Sequence, residues 1–247
     1  MADSNITTLR QNVLTIKGMK VYYTAAGDEG TPVVLVHGGA SDRRDWTKHI
    51  SAFAETHRVY APDLIGYGQS TRLDQPYTFQ HFSDFLCDFM DAVGIDKALL
   101  VGHSLGGRAC LEVAHRSPGY VEKLVLVAPM GFGKLSLPGM IMGAAFWASY
   151  KAIRKRLPFP TLDIELEDRN IERFQGVSAP TLILWGRWDP FFPSKYSRRA
   201  LNAIPNSRLK LLPSGHAPHK RNPAGFNKIV LDFFSEVHET KLGGECV

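Results

Sequence analysis

Short apolar runs recur at residues 33–36, 59–61, 98–101, 124–128, 181–185 and 208–212, each bounded by glycine, proline or polar clusters. Runs of this length predict strands covered on both faces. Between them, residues 46–56, 79–93, 108–116, 194–204 and 224–240 predict helices. Ahead of the first run, two β-prone stretches, 13–16 and 19–24, flank Lys17-Gly18 and predict a hairpin. Strand and helix alternating in this way predict an α/β fold with a mostly parallel twisted sheet and helices on both faces. Functional groups then gather at the carboxyl ends of the strands. Residues 131–177 break the alternation: they open with Gly131-Phe132-Gly133, carry Pro158 and Pro160, and contain no convincing strand. They predict a helical insertion over the strand ends, leaving 1–130 and 178–247 as the core domain. No internal repeat or low-complexity tract is present.

The run at 98–101 ends in Gly102-His103-Ser104-Leu105-Gly106 and restarts with helix-compatible residues. A serine hydroxyl barely ionises near neutral pH. It attacks a carbonyl only when held in the open beside a base and beside donors for the developing oxyanion. A sharp strand-to-helix turn supplies that exposure: Gly102 and Gly106 leave room for the turn, and Gly107 lets the following helix lie close to the sheet. The string alone arises by chance in roughly one such chain in ten. The buried run before it and the helix after it separate Ser104 from an ordinary turn serine.

On this architecture a serine nucleophile needs an acid and then a histidine further along the chain. Trp185-Gly186-Arg187-Trp188-Asp189-Pro190 puts Asp189 just past one predicted strand, and Leu211-Leu212-Pro213-Ser214-Gly215-His216 puts His216 just past the next. The strand ending at Ala128 is followed by Pro129-Met130, which offers no carboxylate. Two rival readings stay open: Asp189 as merely the start of a turn before Pro190, and His219 as the base.

Composition narrows the partners. The 247 residues, 44% hydrophobic, suffice for one large α/β domain. The net charge of +5 comes from dispersed basic residues with no nucleic-acid reader motif, so no nucleic acid is expected. The exception is Lys151, Arg154, Lys155 and Arg156 after the apolar stretch 140–148, which is too short to span a bilayer. Contact of this basic end with a membrane surface is the lesser reading. The acidic run Asp163, Glu165, Glu167 and Asp168 reads as a solvated face, with pairing to that basic cluster as the lesser reading. Residues 1–5 lack a basic stretch leading into an apolar core, so a cytoplasmic location is expected. Cys87, Cys110 and Cys246 are too scattered for a disulfide framework, and the first two read as small buried hydrophobes. Neither Cys-x-x-Cys nor His-Glu-x-x-His occurs, and no metal or cofactor is expected.

Taken together, Val36-His37-Gly38-Gly39-Ala40, the loop from Asp63 to Ser70, the Ser104 turn, Leu124 to Pro129, the Asp189 loop and Gly215-His216 resemble the α/β-hydrolase superfamily. The likeness is to its cofactor-free serine hydrolases with a helical cap, and it covers nearly the whole chain. It implies that the backbone N–H groups of Gly39 and Leu105 form an oxyanion hole, and that acyl transfer runs in two steps through Ser104, with His216 as base and Asp189 as its orienter. His37 and His103 read as supports of the oxyanion and nucleophile loops, and Asp63 as the organiser of its glycine-rich loop. His37, His103, Met130, Phe146, Trp147 and Trp188 are the candidates for lining the substrate pocket. Ser104, where an aspartate would stand in epoxide hydrolases and haloalkane dehalogenases, sets those subclasses aside. His103, where tryptophan is usual, does the same for proline-trimming peptidases. The expected activity is hydrolysis of small to medium apolar carboxylic esters. A carbon–carbon hydrolase of aromatic ring-cleavage products, a lactonase, or a non-catalytic small-molecule receptor on the same fold are the alternatives.

Overall fold

The computed structural model describes residues 8–153 and 160–237, excluding the side chains of Phe146, Trp147 and residues 149–153. Eight strands form one sheet in the order β1-β2-β4-β3-β5-β6-β7-β8. β1 (Arg10–Ile16) and β2 (Met19–Ala26) make the expected hairpin. Its two turn residues, Lys17 and Gly18, have φ of 48° and 80°, the left-handed pair that a two-residue hairpin needs. β2 runs antiparallel to β4 (Arg58–Pro62). From there β3 (Pro32–Val36), β5 (Ala98–His103), β6 (Val121–Val127), β7 (Thr181–Gly186) and β8 (Ser207–Leu212) continue in parallel.

The central strands are apolar throughout because each face meets a different core. Val34, Val36, Leu100, Leu124, Leu126 and Ile183 join one cluster, and Val33, Leu35, Leu99, Val101, Val125 and Leu184 join the other. The first cluster lies under α2 (Phe79–Ala92), α3 (Leu105–Arg116) and α5 (Tyr196–Ala203). The second lies under α1 (Thr47–Ala54) and α7, which spans Pro223–Ser235. A 3₁₀ turn, Arg43–Trp46, leads into α1 and is capped by the Asp42 side chain. The cap of α2 is reciprocal: Thr78 Oγ1 accepts from the His81 N–H while the Thr78 N–H donates to His81 Nδ1.

Three features were not legible in the hydrophobic pattern. A one-turn helix, α6 (Pro218–Arg221), separates β8 from α7. Buried Lys123 of β6 donates to the carbonyls of Phe233, Phe234 and Glu236, and so closes the end of α7 from across the core. α7 stops at Ser235, where Glu236 turns to extended backbone, short of the expected 240; residues past 237 lie outside the described ones.

Within 131–177 the described residues form one long helix, α4 (Leu137–Ile153), and a 3₁₀ turn, Ile171–Gly176. Isolated bridges tie the remainder back, Leu162 to Tyr77 and Glu167 to Gly131 and Phe132. The solvated reading of the acidic run fails at Asp168, which is buried and ion-paired with Arg108 and Arg173. Glu112 joins the same group through both arginines. The cause is charge balance: Arg108 of α3 is almost wholly buried, with its guanidinium over the Phe79 and Phe174 rings, and needs carboxylates beside it. Glu167 likewise pairs with Arg199 at 2.6 Å. Arg154, Lys155 and Arg156 lie outside the described residues, as do Cys246 and the side chain of Lys151. Cys110 is buried as expected, whereas Cys87 is only partly covered. No described helix is long and apolar enough to cross a membrane.

Candidate active site

Ser104 stands between the end of β5 and the start of α3 with φ 50° and ψ −111°, a conformation that L-residues rarely adopt. Three backbone bonds hold it there. Its N–H donates to Val127 at 2.9 Å, and its carbonyl accepts from Arg108 at 3.0 Å and Met130 at 3.1 Å. The flanking glycines are sterically required. A Cβ on Gly102 would lie 2.4 Å from the Gly106 oxygen, and one on Gly106 would lie 2.4 Å from the His37 oxygen. The helix begins at Leu105, so the hydroxyl is left free of capping duty.

Asp189 and His216 come from the loops after β7 and β8. His216 Nε2 lies 3.0 Å from Ser104 Oγ, and His216 Nδ1 lies 2.7 Å from Asp189 Oδ2. A buried carboxylate accepts, so Nδ1 carries the ring proton and Nε2 turns its lone pair toward the hydroxyl. Asp189 Oδ1 accepts from the Phe191 and Phe192 N–H groups at 2.8 and 3.0 Å. The two readings of Asp189 therefore coexist: one oxygen organises the turn past Pro190 and the other holds the imidazole. The Phe191 and Phe192 rings also flank the His216 ring, at 5.2 and 5.6 Å between centroids. Backbone donors leave no side-chain signature, and the only hint of them in the sequence is the Asx-type turn that Asp189-Pro190 favours.

The remaining candidates separate into site and scaffold. Gly39 and Leu105 are neighbours: a Cβ built on Gly39 would sit 3.9 Å from the Leu105 Cβ and 3.8 Å from Tyr67 Oη, in ordinary van der Waals contact. His37 is fully buried and spans two loops, with Nδ1 2.7 Å from the Gly38 carbonyl and Nε2 accepting from the Leu64 N–H at 3.0 Å. Burial lowers its pKa, so the ring is neutral. Asp63 organises its loop, accepting from the Arg43 and Gln69 N–H groups at 2.7 and 2.8 Å. His103 packs behind the base, with its Nε2 3.0 Å from the His216 carbonyl. Burial, then the proximity of His216, pushes its pKa well below the usual histidine value. Met130 is buried beside Ser104, while Trp188 is 64% exposed and tied to the base loop only through its N–H bond to the Ser214 carbonyl. The side chains of Phe146 and Trp147 lie outside the described ones. His219 makes no bond to Ser104; it stacks on Trp46, with 4.7 Å between ring centroids.

A family profile described as "alpha/beta hydrolase fold" matches residues 31–144, a span that holds Gly39 and Ser104 and stops before Asp189 and His216. Among curated proteins, the chain is 27% identical to the dihydrolipoyllysine-residue acetyltransferase component of the acetoin cleaving system of Pseudomonas putida, over 86% of this chain. It spans 65% of that protein's length. Among solved structures, a meta-cleavage product hydrolase from Pseudomonas fluorescens IP01 is 25% identical with a TM-score of 0.79, over 92% of this chain and 98% of that one. Carboxylesterase CesB (YbfK) from Bacillus subtilis is 21% identical with a TM-score of 0.81, over 92% of each chain, a likeness of fold.

Proposed function

We propose that the chain is a hydrolase of the α/β-hydrolase superfamily and that it cleaves carboxylic esters of small to medium apolar substrates through an acyl-enzyme on Ser104. The reading rests on one observation above the others, the unbroken hydrogen-bond line from Ser104 Oγ through the His216 ring to Asp189. In the first step the Ser104 hydroxyl gives its proton to His216 Nε2 as Oγ attacks the ester carbonyl. The backbone N–H groups of Gly39 and Leu105 receive the oxyanion, and the imidazolium, steadied by Asp189, protonates the departing alcohol. In the second step His216 draws a proton from water, which attacks the acyl-enzyme and releases the acid and Ser104. No cofactor enters this cycle. Residues 131–177 act as a cap in this reading; its Phe146 and Trp147, with Met130 of the core domain, are the apolar candidates for acyl contact.

The test is covalent labelling with a fluorophosphonate, peptide mapping of the adduct, and turnover of p-nitrophenyl esters of increasing acyl length. Labelling at Ser104, with a kcat about 10⁶-fold lower in Ser104→Ala, is expected. Ester turnover within tenfold of the parent in that variant overturns the reading. Carbon–carbon cleavage of aromatic ring-cleavage products is the second reading, favoured by the 25% identity to the meta-cleavage product hydrolase. Ser104 labelling with negligible ester turnover, together with bleaching of a ring-cleavage dienoate, selects it.

A further inference from the structure

Behind the Ser104, His216 and Asp189 line the fold assembles a second polar group that the hydrolytic cycle does not use. Asp45 comes from the 3₁₀ turn before α1, His103 from the end of β5 and His219 from α6, and one potential ligand atom of each lies within 4.8 Å of the other two. His219 is wholly buried, His103 is 6% exposed, and the Asp45 side chain is 9% exposed. Among the described residues, five polar atoms here have no hydrogen-bond partner: Asp45 Oδ2, Trp46 Nε1, His103 Nδ1 and both ring nitrogens of His219. A buried polar group left without a partner is destabilising, so a concentration of five calls for an occupant.

The identity of the unsatisfied atoms says what kind of occupant. His103 Nε2 faces the His216 carbonyl at 3.0 Å, so the ring proton sits there and Nδ1 presents a bare lone pair. Asp45 Oδ1 accepts from Lys220 Nζ at 2.6 Å, which leaves Oδ2 as the free oxygen. A neutral imidazole, the ligating form, has one bare ring nitrogen, so His219 offers one lone pair of its own. Three free lone pairs thus come from three separate elements whose ligand atoms lie within 4.8 Å of one another. An imidazole whose far N–H is held by a backbone carbonyl is the arrangement by which proteins aim a metal-binding histidine, and Lys220 fixes the carboxylate in the same manner.

We propose that Asp45 Oδ2, His103 Nδ1 and a ring nitrogen of His219 form a binding site for a transition-metal dication, separate from the Ser104 centre. Two imidazoles and one carboxylate suit zinc, cobalt, nickel or copper rather than magnesium or calcium. The fourth position is left for water. Bonds of about 2.0–2.2 Å hold tetrahedral ligands roughly 3.3–3.5 Å apart, so the three side chains draw inward on binding. Lys220, whose side chain is 49% exposed, holds Asp45 Oδ1 at 2.6 Å. The site stands whether or not Ser104 is a nucleophile.

The test uses the full chain stripped with a chelator and then titrated with cobalt(II), followed by its visible d–d bands, and with zinc by calorimetry. One saturable ion per chain with tetrahedral cobalt bands is expected, weakened about 10–100-fold or more in Asp45→Asn and His219→Gln and unchanged in His81→Gln. Circular dichroism checks that each variant is folded, and zinc X-ray absorption on the parent protein reads the two imidazoles without any substitution. Absence of the cobalt bands at excess metal overturns the proposal. So does binding that survives both ligand substitutions, or a zinc-soaked crystal with only water among these three side chains.

Discussion

Ser104 is held in a backbone conformation that costs of order 1–3 kcal/mol, and the space for it comes from residues that have no side chain. Gly106→Ala sets a Cβ 2.4 Å from the His37 oxygen and 2.5 Å from the Val36 oxygen. Both obstacles are backbone, so the strand and helix must part. Loss of about 1–3 kcal/mol or more is expected, read as a lowered urea midpoint together with reduced ester turnover. Asp189→Asn keeps the shape of the loop but favours the wrong ring tautomer of His216. A fall in kcat of about 10³–10⁴-fold at near-parental stability is expected, and turnover within tenfold of the parent contradicts the assigned role. The steric demand of the turn is what made this part of the site legible, because it writes glycine at fixed distances from Ser104. The amides of Phe191 and Phe192 were not legible, since any residue but proline supplies a backbone N–H.

At the scale of elements, strands and helices followed the apolar runs wherever both faces of a strand are covered, as in β3, β5, β6 and β7. Their ends depended on partners distant in sequence. Lys123 lies in a β-strand, yet its ammonium satisfies three carbonyls at the end of α7, a pairing of residues about 110 apart. Lys123→Met removes the donor and leaves the carbonyls buried. A loss of about 1–3 kcal/mol is expected, with faster amide exchange confined first to the last turn of α7. A variant as stable as the parent denies Lys123 this role. The ion group of Arg108, Glu112, Asp168 and Arg173 was illegible for the same reason: hydropathy marks charges as surface, and only the fold shows which of them face one another in the interior.

Across the whole molecule, the sheet buries histidines that stay uncharged. Burial lowers the pKa of His37 and His49 below the ordinary value, opposed in part by the Gly38 carbonyl for the first and by Asn227 for the second. Unfolded chain therefore takes up protons near pH 6.5 that folded chain refuses. Stability from this source is complete above that pH and is lost progressively as pH falls through the depressed folded values. Urea midpoints falling between about pH 7 and 5 check the sign, with a smaller fall expected in His49→Gln; a flat profile contradicts it. The sheet order also has an operational consequence. Among the described residues β8 is an outer strand, bonded to β7 alone, and the loop bearing His216 hangs from its end. Edge strands detach at lower free energy than the centre of a sheet. Such a molecule falls silent before it melts: in mild denaturant, hydrolysis fails while far-ultraviolet ellipticity is intact, and dilution revives it without refolding the whole.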